Sequence, residues 1–193
     1  MDSSFEKLVE GIDVAFLLQN ISNNPQLFNE LTARQDVPGT PHQDTQSIFL
    51  RWAASSSIHA AFNELSSVNY PALTLLPEAQ DLIDRIFIET ESIELGRALI
   101  VSLKPGGFID PHADEGSYAD HFERFHLCLK SDEGNLFFSE HEPGHGEYVH
   151  MQAGELWAFN HKRKHWLVNN SDSERIHLIV DCVSPKYRKE RAA

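Results

Sequence analysis

Hydrophobic and polar positions change rhythm near residue 95. Before that point the element types are mixed. Phe16 and Leu18 stand ahead of an Asn/Pro cluster, which predicts a short element followed by a turn. Leu27, Phe28 and Leu31 recur at helical spacing and predict a helix over 25–34. The run SIFLRW (47–52) reads as a strand. Pro77 suits a first helical turn, and Leu82, Ile83, Ile86 and Phe87 form one apolar stripe, so 78–88 reads as a helix. After residue 95 the runs shorten: RALIVSL (97–103), RFHLCL (124–129), LFFS (136–139), LWAFN (156–160), HWLV (165–168) and RIHLIVDCV (175–183). Turn residues separate them at Pro105-Gly106-Gly107, Asp132-Glu133-Gly134, Glu142-Pro143-Gly144, Ala153-Gly154 and Asn169-Asn170-Ser171. Many short strands spaced by turns indicate a sandwich or barrel. The expected fold is mainly β with flanking helices, a double-stranded β-helix (jelly roll, cupin-like) whose eight short strands fall within 96–183. We expect a single domain over 1–193: a mixed α/β buttress with a substrate-side strand (1–95), the jelly-roll core (96–183) and a C-terminal tail (184–193).

Composition narrows the partners. The chain has 193 residues, 41% apolar and 23% charged, which suits one folded domain. A net charge of −13 repels phosphate backbones, so nucleic acid is not an expected partner. The N-terminal MDSSFEKLVEGID has neither a basic segment nor an apolar one, and no apolar run reaches the length of a membrane span. Cys128 and Cys182 sit in apolar runs and read as reduced core thiols. These features together predict a cytoplasmic protein with no membrane partner. Eleven histidines, most of them between 112 and 177, supply possible metal ligands.

The strongest chemical signal is PGGFIDPHAD (105–114). In extended chain, residues two apart point to one side, so His112 and Asp114 can share a metal. A third ligand must come from another strand, and His165, opening HWLV, is the best placed. Two histidines and a carboxylate make a facial triad suited to non-haem Fe(II), with positions left for a cosubstrate and O2. Competing groups exist. His42 and Asp44 form a second His-x-Asp pair without the same strand and turn context. His161 and His165 are four apart, as in helical zinc pairs, but their flanks read as strand. His141, His145 and His150 fall in a Gly/Glu-rich hairpin and read as solvated.

Arg175 opens the last long strand. A buried guanidinium needs an anion, which a dicarboxylate would provide; a surface ion pair near Asp172 or Glu174 would serve equally. Arg124 and His126 share a face, either as a second anion contact or as exposed residues alternating with Phe125, Leu127 and Leu129.

These segments together resemble the aspartyl/asparaginyl β-hydroxylase-like family of Fe(II)- and 2-oxoglutarate-dependent oxygenases. The resemblance covers about 97–185 and rests on LKPGGFIDPHAD (103–114), RFHLCL, GELWAFN (154–160), HWLVNN (165–170) and RIHLIVD (175–181). It implies a hydroxylase using Fe(II), 2-oxoglutarate and O2. Iron would sit on His112 and His165. Arg175 would pair with the distal carboxylate of 2-oxoglutarate, and Arg124 and His126 would lie near its metal-proximal end. The implied substrate is an amino acid, an amino-acid residue in a peptide, or a related small molecule. Two departures stand out. The animal aspartyl hydroxylase has Gly where this chain has Asp114, and a cosubstrate-binding Ser where it has Val101. A complete triad also argues against halogenation, which needs that carboxylate position to be small. The segment 38–52 resembles the substrate-side strand of small family members, with His42, Asp44 and Arg51 as candidate substrate contacts.

Overall fold

The structure, a computed structural model, describes residues 3–32, 34–36, 39–55, 57–142 and 144–191. Among the described residues, eleven strands form two antiparallel sheets. In chain order they are β1 (Phe5–Val9), β2 (Thr45–Trp52), β3 (Val68–Asn69), β4 (Glu94–Leu103), β5 (Phe108–His112), β6 (Glu123–Lys130), β7 (Asn135–Glu142), β8 (His145–Val149), β9 (Leu156–Phe159), β10 (Lys164–Asn169) and β11 (Arg175–Val183). The large sheet has the order β1-β9-β6-β11-β4-β2-β3 and the small one β5-β10-β7-β8. The α-helices of the described residues flank them: α1 (Ala15–Asn23), α2 (Ile58–Asn63), α3 (Pro71–Leu75), α4 (Pro77–Glu89), α5 (Ser117–His121) and α6 (Pro185–Arg191). The jelly-roll expectation holds.

Each face of the large sheet has a separate task. All nine residues of β11 are buried, so this strand is covered on both sides. Its even-numbered residues Ile176, Leu178, Val180 and Cys182 join a core that also holds Leu17, Ile21, Ile83 and Ile86 of α1 and α4. Its odd-numbered residues Arg175, His177, Ile179 and Asp181 face the small sheet. β6 repeats the pattern, with Phe125, Leu127 and Leu129 on the helix side and Arg124, His126 and Cys128 opposite. RFHLCL is therefore not an edge strand with exposed polar positions. Its polar residues line the space between the sheets, next to the apolar cluster of Leu103, Phe137, Phe159 and Leu167.

The helix expected over 25–34 is a 3-10 helix of Pro25–Asn29 only. Beyond it the Thr32 carbonyl accepts from Gln35 and Asp36 in a tight turn, and the Arg34 side chain is drawn inward to Ser47 and His42. Those tertiary contacts outweigh the local helical spacing. Two strands, β1 and β3, carried no clear sequence signal; β5 is the extended segment expected to carry His112, and β8 is one arm of the expected Gly/Glu-rich hairpin. Ala33 of the expected helix, Pro38 of the expected substrate-side segment, Pro143 of the expected hairpin turn, and Ala192 and Ala193 of the tail lie outside the described residues. Both cysteines are buried and free, as expected. Among the described residues no helix is long and apolar enough to cross a membrane.

Two glycines shape the segment that carries the first ligands. Gly106, at φ 67, makes the turn from β4 into β5. Gly116, at φ 94, lets the chain leave Asp114 tightly past α2; a Cβ there would lie 2.5 Å from the Phe62 carbonyl oxygen.

Candidate metal and cosubstrate site

Strands β5 and β10 pair with His112 directly opposite His165. Cross-strand partners project to the same side, so both imidazoles enter the space between the sheets; their ring centroids are 4.3 Å apart. Each ring is oriented by its own backbone. His112 Nδ1 donates to the Asp110 carbonyl at 2.7 Å, and His165 Nδ1 donates to the Arg163 carbonyl at 2.9 Å. Committing Nδ1 as a donor leaves each Nε2 as a free lone pair, the form a metal needs. Asp114 follows the end of β5. Its N–H donates to the His161 carbonyl at 2.9 Å, which turns its carboxylate toward the two rings. Ligand atoms from His112, Asp114 and His165 all lie within 4.8 Å of one another.

The Asp114 oxygens have separate partners. Oδ1 lies 3.8 Å from His112 Nε2, while Oδ2 accepts from Arg124 Nη1 at 2.5 Å. Arg124 in turn is held by Asp181, through Nε at 2.8 Å and Nη2 at 3.0 Å. Burial pushes the Asp114 carboxyl upward, but Arg124 first, then His165, His161 and His112, hold it well below the usual carboxylate range. It is therefore an anion, with Oδ1 available to a cation. Burial lowers the His165 imidazole to about 4, so it is neutral at physiological pH. His161 is buried, with Nε2 at 3.0 Å from the Ala119 carbonyl; it braces the loop and stands outside the ligand group.

Further along the inner face, Arg175 is 4% exposed and, among the described residues, has no carboxylate partner. The surface ion pair with Asp172 or Glu174 does not form. Arg175 Nη2 instead donates to His177 Nδ1 at 3.1 Å. That contact makes Nδ1 an acceptor and places the His177 proton on Nε2, which is buried without a partner, as are His126 Nδ1 and Ser139 Oγ. Ser139 lies across from His165 in the strand register. Burial alone lowers the Arg175 guanidinium to about 10, with only a small opposing effect from Cys128. A buried cation beside unused donors fits an anionic ligand. Stepwise contacts link this group to the ligand group: His165 to Phe137 (ring centroids 5.9 Å), Phe137 to His126 (5.4 Å) and His126 to His177 (5.7 Å).

The candidates from the 38–52 segment divide. His42 packs edge-on against His112, with ring centroids 5.1 Å apart, and lines a cavity of about 360 Å³ together with His112, Asp114 and Arg124. Asp44 and Arg51 do not line it. Asp44 pairs with Lys104 at 2.6 Å and accepts from the Phe108 N–H, tying the 38–52 segment to β5. Arg51 is spent on the Gly96 and Ser67 carbonyls and on Asn69. Both are structural ties, because their charged groups are already satisfied. Sequence reading missed Arg34, Asp181, His177 and Ser139. Two of these, His177 and Asp181, could have been found as polar residues at alternate positions of a strand buried on both sides.

Burial pushes His126 and His177 well below the ordinary imidazole value, with Arg175 adding to the effect in each. Unfolding frees them to take up protons near pH 6.5. Their contribution to stability is thus present above that pH and lost as the pH falls. Two such groups cost roughly 4 kcal/mol between pH 7 and pH 5. Urea unfolding at the two pH values should show at least this loss, and His126→Gln with His177→Gln should remove the part due to these two, leaving what the lowered His165 and His42 contribute. An unchanged pH dependence in that double variant would show that other groups are responsible.

A family model described as aspartyl/asparaginyl beta-hydroxylase matches residues 30–185. The fold is shared with an oxidoreductase of the 2OG-Fe(II) oxygenase family from Burkholderia pseudomallei, which is 15% identical with a TM-score of 0.55, over 91% of this chain and 92% of that one. It is also shared with a Pseudomonas putida prolyl-4-hydroxylase, 13% identical with a TM-score of 0.59, over 93% of this chain and 92% of the other. The family match runs through both strands that bring His112 and His165 together and on to Arg175. The chain accordingly belongs to the aspartyl/asparaginyl β-hydroxylase family, as a hydroxylase whose cofactors are Fe(II), 2-oxoglutarate and O2.

Proposed function

We propose that this chain, acting as one oxygenase domain, hydroxylates an unactivated C–H bond of an amino acid, an amino-acid residue or a related small molecule. Iron with 2-oxoglutarate and O2 supplies the oxidising power, and succinate and CO2 are released. In this reading His112 Nε2, Asp114 Oδ1 and His165 Nε2 hold the iron. Arg175 receives the distal carboxylate of 2-oxoglutarate, helped by the His177 Nε2–H. His126 lies on the path between the two groups. Arg124 is a positioning residue: anchored on Asp181, it fixes Asp114 Oδ2 and so aims Oδ1 at the metal. The helices and strands of residues 1–95 buttress the large sheet and close the substrate side.

One observation carries this reading. A two-histidine, one-carboxylate group and a buried arginine without a carboxylate partner face the same space between the sheets. A simple metal-binding jelly roll has no use for that arginine. The test is succinate release by the Fe(II)-loaded protein with 2-oxoglutarate, screened against the twenty amino acids and against a lysate. Release stimulated by at least one of them is the expected result. A protein that binds Fe(II) but neither binds nor consumes 2-oxoglutarate would sink the proposal.

A further inference from the structure

Residues 160–163 form the turn between β9 and β10. Two carbonyls of that turn aim two of the three ligands. The His161 carbonyl accepts the Asp114 N–H at 2.9 Å, and the Arg163 carbonyl accepts from His165 Nδ1 at 2.9 Å. A third contact comes from the residue just before the turn. The Phe159 ring, 1% exposed, stands edge-on to His165 with centroids 4.7 Å apart. A peptide carbonyl that orients a ligand is placed by the path of its own chain, so what holds the turn holds the ligands.

The N-terminal segment grips this turn at both ends. The Asn160 N–H donates to the Ser4 carbonyl at 2.9 Å, and Arg163 Nη1 donates to Ser4 Oγ at 3.0 Å. Ser4 is itself buried. Its N–H and the Ser3 hydroxyl donate to the Glu147 carboxylate of β8, so the segment reaches from the large sheet to the small one. Phe5 then pairs with Phe159 in the register of β1 and β9. Its ring stacks on Phe159 at 5.5 Å and meets Phe137 edge-on at 5.1 Å. Phe159 and Phe137 are the rings that also pack on His165 and His126. Elsewhere β1 is held more loosely: Glu6 and Lys7 are exposed, and Leu8 and Val9 are half-buried. Its firmest anchor is therefore the end that touches the turn.

We propose that Ser4 and Phe5 are positioning residues of the iron site: docked β1 clamps the 160–163 turn and Phe159, and so sets Asp114 and His165 for the metal. This rests on the ligand assignment made above. Neither residue touches the metal. Ser4 acts through the two carbonyls of the turn, and Phe5 acts through the Phe159 ring. Coupling of this kind is reciprocal. Lifting the segment weakens metal binding, and bound metal tightens the docking of the segment. Whatever displaces the start of β1 therefore lowers iron occupancy without entering the site.

The test is the Mn(II) dissociation constant of the whole chain, wild type against Ser4→Ala, Phe5→Ala and Phe5→Leu, with urea unfolding of each metal-free protein in parallel. Loss of an outer support of a metal ligand costs about 10–100-fold in affinity, so Ser4→Ala and Phe5→Ala should each weaken Mn(II) about tenfold or more. Phe5→Leu keeps apolar bulk against Phe159 and should recover part of the loss. Leu17→Ala is the control for stability. Leu17 is buried in the helix-side core, so its truncation should destabilise the fold yet leave Mn(II) affinity within about twofold. In wild type, Mn(II) should also slow amide hydrogen exchange in β1 about tenfold relative to α1. Unchanged Mn(II) affinity in both Ser4→Ala and Phe5→Ala overturns the proposal. So does an equal loss of affinity in Leu17→Ala, since the effect would then follow stability alone. Failure of the ligand assignment looks different, and the clamp would fall with it: wild type would take up no Mn(II), or His165→Ala would bind it undiminished.

Discussion

His165→Ala is expected to weaken Mn(II) or Fe(II) binding by at least about 100-fold and to abolish succinate release. Loss of an outer partner of a metal ligand already costs about 10–100-fold, and loss of the ligand itself costs more. The substitution removes an Nε2 that is presented by a fixed Nδ1 contact, on a ring set edge-on to Phe159 at 4.7 Å. His112→Ala should behave alike, because its ring is aimed in the same way by the Asp110 carbonyl. His161→Ala is the control. It breaks a brace to Ala119 but leaves all three ligand atoms, so metal stoichiometry should be retained. Loss of metal in His161→Ala with retention in His165→Ala would mean that the wrong histidine was chosen. Asp114→Ala separates the carboxylate from the histidines. It removes the anionic ligand and leaves Arg124 facing the metal with only Asp181 to balance it, so both metal affinity and hydroxylation should fall. In Asp114→Gly with added chloride, halide has room to enter, but Arg124 and Asp181 are built to hold a carboxylate, and efficient chlorination is not expected. Wild-type affinity and turnover in Asp114→Ala would reduce the triad to its two histidines and leave the family assignment standing.

Much of the fold was legible because the rhythm of apolar residues reports burial directly. RIHLIVDCV and RALIVSL read as strands, and the stripe of Leu82, Ile83, Ile86 and Phe87 marked α4 (Pro77–Glu89) to within a residue or two. The same alternation carried information that went unused. In a strand buried on both faces, every polar residue must have a partner or a ligand, so Arg124, His126, His177 and Asp181 were visible in principle as the polar half of two apolar strands. They were ambiguous because a half-exposed strand shows the same pattern, and only the stacking of the second sheet decides between the two. Arg34 could not be found in this way. It leaves a turn after a helix that stops early, and its inward course is set by Ser47 and His42, far from it in local pattern. The weak strands β1 (Phe5–Val9), β5 (Phe108–His112) and β8 (His145–Val149) owe their existence to pairing with neighbours and not to their own composition.

Arg175→Met is expected to move stability and cosubstrate binding in opposite directions. In the protein without 2-oxoglutarate the guanidinium is buried with an imidazole as its hydrogen-bond partner and no carboxylate. Replacing an inadequately compensated buried charge with an apolar chain of similar length removes a desolvation cost, and such changes stabilise by about 1–4 kcal/mol. The lost bond to His177 Nδ1 offsets part of this, at about 1 kcal/mol. The net effect on urea unfolding should be stabilising or close to neutral. Binding should change far more. A buried carboxylate deprived of its charge partner costs about 2–5 kcal/mol, which raises the 2-oxoglutarate requirement about 30-fold or more. Wild type should therefore gain thermal stability when 2-oxoglutarate is added in the presence of Mn(II), as any ligand specific to the folded state demands. Arg175→Met should start at least as high and gain almost nothing at the same concentration. Iron affinity should be little changed, since Arg175 touches none of the three ligands and reaches them only through the Phe137 and His126 contacts. A variant that is destabilised by several kcal/mol yet keeps its response to 2-oxoglutarate would show that Arg175 is a structural residue, and that the cosubstrate's distal carboxylate is held elsewhere on the inner face.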